Sequence, residues 1–169
     1  QFFVYLSLMN HTSVNSNALI IKPKLPKRLP KSLSQKEVLN ILDQGRHLSP
    51  WPLRDIAILE LLYSCGLRIS ELINLNMEDL RTESIHVTGK GSKDRLLPVG
   101  TPAKLAITRY LSQERPKLAK KNLETAALFL NTRATNLSRQ SVYVLIKKAV
   151  ELSDVQAEVS PYTFRHSFA

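Results

Sequence analysis

The sequence has a single cysteine, Cys65. That excludes an internal disulfide framework and any zinc site built from cysteines. Its 4 histidines are scattered and show no H-E-x-x-H spacing, so the pattern offers no metal site. A reducing, cytoplasmic setting fits this composition. There are no internal repeats. The opening "QFFVYLSLM" is apolar, but it has no basic flank before it and no small-residue cleavage pattern behind it. It is also too short to span a bilayer. It reads as the tail of an amphipathic helix whose beginning is missing. Acidic residues are scarce as well. Against 24 Lys+Arg stand 14 Asp+Glu, a formal charge of +10, with a pI near 9.9. Such an excess favours a polyanionic partner, nucleic acid before an anionic membrane surface, or else merely keeps a basic protein soluble.

What is present suits one domain of ordinary size, since 169 residues with 43% hydrophobic content can bury a real core. In "KPKLPKRLPKS", Pro23, Pro26 and Pro30 forbid a regular helix and predict a stiff extended linker. Lys22, Lys24, Lys27, Arg28 and Lys31 make it either a solvated spacer or a basic strap for a phosphate backbone. Ser34 and Glu37 form a capping box that starts a helix to about Gln44. "SPWPLRDIAILELLYSCG" predicts a largely buried helix with Ile56, Leu59, Leu62 and Tyr63 as one stripe and Gly66 as its stop. A shorter helix follows in "LRISELINL". "ESIHVTG" and "DRLLPVG" read as the strands of a hairpin around "KGSK". Thr101 and Pro102 open a helix that Pro116 ends, and "LFLN" is apolar without a clear type. "SRQSVYVLIKKAVELS" is amphipathic, with Val142, Leu145, Ile146 and Ala149 inward and Lys147 and Lys148 outward. The fold class expected is mainly α with a small antiparallel β-sheet.

The chain closes on "SPYTFRHSFA". Ser160 and Pro161 predict a helix start, with Tyr162, Arg165, His166 and Ala169 on one face and Phe164 and Phe168 on another. Two further cations stand out by position. Arg68 follows a glycine-terminated buried helix, a mount that can hold a guanidinium fork against two phosphate oxygens. Glu71, three residues on, is an available partner. Lys90 lies between Gly89 and Gly91 at the hairpin tip, where the backbone can approach a ligand closely. The "GKGSK" string lacks the spacing of a Walker loop.

Taken together, "GLRxSEL", then "GKGxKxR" on a hairpin, then "SPxTxRHSFA" on a late helix resemble the catalytic domain of the tyrosine recombinases, and among the phage-integrase family the Xer-type enzymes. On that resemblance residues 1–21 are the remnant of the last helix of an N-terminal core-binding domain. Residues 22–33 are the interdomain linker, and 34–169 a catalytic domain incomplete at its C-terminus. The resemblance implies attack by a tyrosine on a DNA phosphodiester, a 3′-phosphotyrosyl link and strand exchange through a four-way junction. No metal or cofactor is implied, because the covalent link retains the bond's energy. Arg68 and Arg165 would neutralise the non-bridging oxygens. Lys90 would be the general acid, Glu71 would steady the first arginine, and His166 would support the site. Lys93 and Arg95 would contact the DNA backbone, as would Lys27, Arg28 and Lys31 of the strap. The implied partners are double-stranded DNA, four-way junctions and other recombinase protomers, not a membrane.

The sequence departs from that pattern twice. Tyr162 stands where the family usually has a histidine, and a phenol of ordinary pKa about 10 cannot serve near neutrality as an imidazole does. The resemblance therefore predicts weakened chemistry, which Tyr162→His would restore. The nucleophilic tyrosine is expected beyond "RHSFA". None of Tyr5, Tyr63, Tyr110, Tyr143 and Tyr162 holds that place; Tyr162, one turn from Arg165, is near the phosphate, but the resemblance gives its slot to a proton-transfer group. The chain is thus expected to be a fragment inactive by itself. Two other readings remain: a naturally truncated, non-catalytic DNA-binding relic or partner of an intact recombinase, and a basic helical domain that binds RNA or ribosomes.

Overall fold

The computed structural model describes residues 9, 33–89, 94–156, 159, 163, 165 and 167. The apolar opening, the basic linker, the hairpin tip and the caps expected at Ser160 and Pro161 lie outside the described residues.

Helix α1 (Gln35–Asp43) begins at Ser34, whose hydroxyl accepts from the Glu37 N–H while the Glu37 carboxylate accepts from the Ser34 N–H. The capping box is present as expected. A 3-10 turn (Gln44–His47) follows, and here Gly45 is a steric requirement. A Cβ at Gly45 would lie 2.8 Å from Ile56 Cγ1 and 3.2 Å from Ile56 Cα, so the turn rests directly on the next helix. That helix, α2 (Pro52–Cys65), ends at Gly66 in the left-handed region, φ 56°, where a side chain would be strained.

The single stripe expected of α2 is not what forms. Leu59 and Leu62 are buried, but so are Ala57, Ile58, Leu61 and Cys65, while Ile56 and Tyr63 are half-buried. The helix is the central post of the domain, covered on nearly all sides, and a helix so placed is apolar all round rather than striped. Helix α3 (Ile69–Ile73) leaves it at once, and a 3-10 turn (Met77–Asp79) leads to the sheet.

Strands β1 (Ser84–Thr88) and β2 (Asp94–Pro98) pair antiparallel, from Ser84 opposite Pro98 to Thr88 opposite Asp94. Alternation turns Ile85 and Val87 inward, with Leu97 and Arg95 as their partners across the ladder. Helix α4 (Thr101–Gln113) packs along α2. Pro116 does more than stop it. It sits in the first turn of α5 (Arg115–Ala119), where a missing N–H costs nothing. "LFLN" is neither helix nor strand but a bent, buried run, Leu128 to Leu130, carried on isolated bridges at Ala127 and Leu130. Phe129 stacks on Tyr110 at 5.5 Å between ring centroids. Helix α6 (Arg139–Leu152) is capped by Ser138 and buries Val142, Ile146 and Ala149, with Leu145 half-buried. Lys148 is exposed yet donates to the Leu48 carbonyl at 2.6 Å, tying α6 to the start of the domain.

Candidate active site

Arg68 is placed by the chain on either side of it. Leu67 and Leu72 are buried, and Gly66 turns the backbone sharply between α2 and α3. Arg68 is the residue just before α3, and its N–H and guanidinium Nη1 donate to the two oxygens of Glu71 at 2.9 and 2.8 Å. A carboxylate three residues into a helix satisfies a backbone donor that the helix itself cannot. Here it also takes one edge of the guanidinium. The rest of that side chain stays open, at 52% exposure against 5% for Glu71.

A second arginine meets the same carboxylate. Arg95 Nη2 donates to Glu71 Oε2 at 2.9 Å. Burial of Glu71 works to raise its carboxyl. The hydrogen bonds from the Arg68 backbone, Arg95 and the Arg68 guanidinium, together with the charge of Arg95, outweigh it and hold the group below its ordinary value. One anion between two cations leaves a net positive cluster at the surface, suited to a phosphate.

Arg165 is half-buried and helical in the terminal segment. The segment is anchored beside it: Ser167 N–H and Oγ both donate to the Thr163 carbonyl, and Ser167 Oγ accepts from the Leu33 N–H at 2.9 Å. The start and end of the described domain are therefore tied together. Among the described residues none forms an ion pair with Arg165. The structure thus joins Arg68, Glu71 and Arg95, and sets Arg165 on a pinned helical turn. Lys90, Lys93, Tyr162, His166, Lys27, Arg28 and Lys31 lie outside the described residues.

Two reactive groups elsewhere, Tyr110 and Cys65, are shielded, whereas Tyr143 on α6 is exposed. Tyr110 is fully buried, accepts from the Leu130 N–H and donates to the Leu128 carbonyl. Burial, only partly offset by the Leu130 hydrogen bond and by Arg115 and Arg54, pushes its phenol up to about 12. It is a structural tyrosine. The buried Cys65 thiol is likewise pushed up by burial. Among the described residues no group of three or more His, Cys, Asp or Glu side chains gathers to hold a metal, and no helix is long and apolar enough to cross a membrane.

The link from Arg95 to Glu71 is hidden in the sequence, where Arg95 reads as one more cation in a basic string and the resemblance implies a DNA contact for it. Strand alternation carries the signal. Counting back by two from the inward Leu97 puts Arg95 on the same face.

This mainly helical architecture, with a two-stranded antiparallel sheet among the described residues, is the catalytic-domain fold of the tyrosine recombinases, and the chain belongs to the phage integrase family, whose model matches residues 31–169. Its relatives point to the Xer branch. It is 47% identical over 159 residues to tyrosine recombinase XerD of Mycobacterium tuberculosis, covering 90% of this chain and 51% of that protein. To tyrosine recombinase XerC of Alcanivorax borkumensis it is 44% identical over 171 residues, covering 99% of this chain and 55% of that protein. The chain therefore spans about half the length of the curated relatives it matches. Two solved structures share the fold. The crystal structure of XerA recombinase superposes with a TM-score of 0.71 at 23% identity, over 99% of this chain and 65% of the other. A lambda integrase tetramer bound to a Holliday junction gives 0.72 at 19% identity, over 98% and 49%.

Proposed function

We propose that this chain supplies the phosphate-binding and proton-donating part of a site-specific DNA recombinase. The enzyme cleaves and rejoins DNA through a 3′-phosphotyrosyl intermediate. The observation that carries this reading is Arg68, held along one edge by Glu71 while the rest of its guanidinium faces solvent. Charge builds on the non-bridging oxygens as the phosphorus becomes pentacoordinate, and a cation already fixed in place needs no reorganisation to meet it. Arg68 takes that role with Arg165. Lys90 donates the proton to the leaving 5′-oxygen, and Tyr162 and His166 support the transfer. Lys93 and the strap of Lys27, Arg28 and Lys31 lie along the backbone of duplex or four-way-junction DNA. The nucleophilic tyrosine comes from sequence outside residues 1–169, so these residues alone do not cut. Family membership, the charge of +10 and a structural neighbour bound to a Holliday junction all support this reading, which places the protein with its DNA in the cytoplasm and in company with other protomers.

The test is a nicked suicide duplex carrying the target site, incubated with the full-length gene product whose intact mass has been measured. A covalent protein–DNA adduct is expected, and Arg68→Ala and Arg165→Ala should each slow its formation roughly 100- to 1,000-fold. DNA binding without any adduct, from a native product ending at Ala169, would make the protein a non-catalytic relic. Adduct formation indifferent to Arg68 would refute the assignment of the phosphate clamp.

A further inference from the structure

We infer that Arg95 is a positioning residue for Arg68, acting through their shared Glu71 carboxylate, and not a contact to DNA. This rests on the recombinase reading above. Three hydrogen bonds define the arrangement. Glu71 Oε1 accepts from Arg68 Nη1 at 2.8 Å, and Glu71 Oε2 accepts both from the Arg68 N–H at 2.9 Å and from Arg95 Nη2 at 2.9 Å. Two of these come from the residue at the head of α3, and the third comes from β2, 24 residues away.

The third bond ties the carboxylate to something other than Arg68. The first two donors both belong to Arg68, so carboxylate and guanidinium could otherwise shift together about soft side-chain torsions. A donor fixed in a sheet removes that freedom, and the Arg68 fork then has one orientation toward a phosphate. Arg95 is held for this task by the ladder. It lies directly opposite the buried Val87, on the inward face with Leu97.

This task requires Arg95 to face inward to Glu71, as it does here at 2.9 Å. A backbone contact would require it to face outward to DNA.

The two roles separate on the full-length protein. A guanidinium on a phosphate releases a counterion, so its removal lowers the slope of log affinity against log salt by about 0.9. A positioning residue leaves that slope alone and slows the chemical step. Arg95→Ala is expected to keep the wild-type salt slope and to cut the single-turnover adduct rate at saturating DNA by about tenfold or more. Arg95→Lys, which keeps the charge without the fork, should recover part of the rate. Adding Arg95→Ala to Glu71→Gln should slow the reaction no further than the worse single change. A thermal melt of each variant identifies any that fails to fold, and the Arg95→Lys protein carries the same distinction if the alanine variant does. A lowered salt slope with an undiminished saturating rate would overturn the inference and make Arg95 a phosphate contact. Full additivity of the two substitutions would overturn it as well. A wild-type protein that forms no adduct would instead overturn the recombinase reading, and this inference with it.

Discussion

Two arginine–carboxylate clusters in this domain share one bond length and differ in almost everything else. Arg54 and Asp55 meet at 2.8 Å, as do Arg68 and Glu71. The first pair is sealed, with side chains 10% and 1% exposed. Arg54 spends Nε and Nη2 on Asp55, Nη1 on the Leu130 carbonyl and a longer contact on Ser49. Ser49 closes the circuit on the second oxygen of Asp55, and the Glu114 carboxylate takes the backbone N–H groups of Leu53 and Arg54. Four of the five guanidinium N–H groups are engaged, and burial of the pair keeps a ligand from the fifth. In the second cluster only the carboxylate is buried, and most of the Arg68 fork faces water. The same chemistry therefore builds a joint in one place and a receptor in the other. What separates them is which partner is exposed.

The largest effect that follows is on the joint. Asp55→Ala would strand the Arg54 guanidinium in the core, and breaking such a buried pair costs about 3–5 kcal/mol. Arg68→Ala should cost about 1 kcal/mol or less, because Glu71 keeps Arg95 and a backbone donor, while abolishing most cleavage. Thermal melts of both variants check the contrast. Equal losses of stability would show that Arg68 is a structural residue too.

Next in size is Tyr110, which serves the same joint. Tyr110→Phe leaves the Leu130 N–H without its acceptor, at a cost of about 1–3 kcal/mol. The pH dependence has a definite sign. The folded phenol titrates at about 12 against an ordinary 10.0, so its contribution is whole below pH 10 and is lost as the pH climbs through 12. The stability difference between wild type and Tyr110→Phe should therefore narrow across that interval. A constant difference would mean that the phenol is not sealed.

How far the sequence discloses these regions depends on whether the signal is local. The capping box at Ser34 and Glu37, the stop at Gly66 and the hairpin strands involve neighbours in the chain, and each forms as read. The pair Arg68 and Glu71 is legible for the same reason, being one helical turn apart. The wrapping of α2 by α4 and the buried run at Leu128 are not, since they depend on which elements surround them. The sealed cluster joins Ser49, Asp55, Glu114 and Leu130, whose spacings follow no period. Arg95 falls between these cases: alternation along β2 shows the face it occupies, but not that Glu71 waits there.

A smaller effect tests the receptor directly. Glu71 is held below its ordinary 4.5 although burial opposes this. A lowered group contributes stability above its unfolded pKa and loses it as the pH falls through the folded value. The stability advantage of wild type over Glu71→Gln should thus be full at neutrality and disappear below pH 4.5. If it persists in acid, the arginines are held by something other than the carboxylate charge.

The smallest effect comes from a carboxylate without such partners. Glu60 is half-buried in a groove of about 650 Å3 between α1, α2 and α4, walled by Leu39, Leu42 and Leu105. Burial raises its carboxyl above the ordinary 4.5, the reverse of Glu71. The sign reverses with it. The neutral form suits the fold, so its contribution is whole below pH 4.5 and is lost as the pH rises through the raised value. At pH 7 the ionised side chain is a small burden. Glu60→Gln should raise the melting temperature at pH 7 by about a degree, a modest figure because solvent screens a half-exposed group, and should give no gain at pH 4. Arg46 and Arg109 also line the groove. If Glu60→Gln instead lowers the melting temperature at pH 7, one of those arginines pairs with Glu60 in solution. The groove, where Arg46 already meets Asp43 at 3.6 Å on the open surface, would then hold an arginine–carboxylate cluster closer in kind to Arg68 and Glu71 than to the sealed joint.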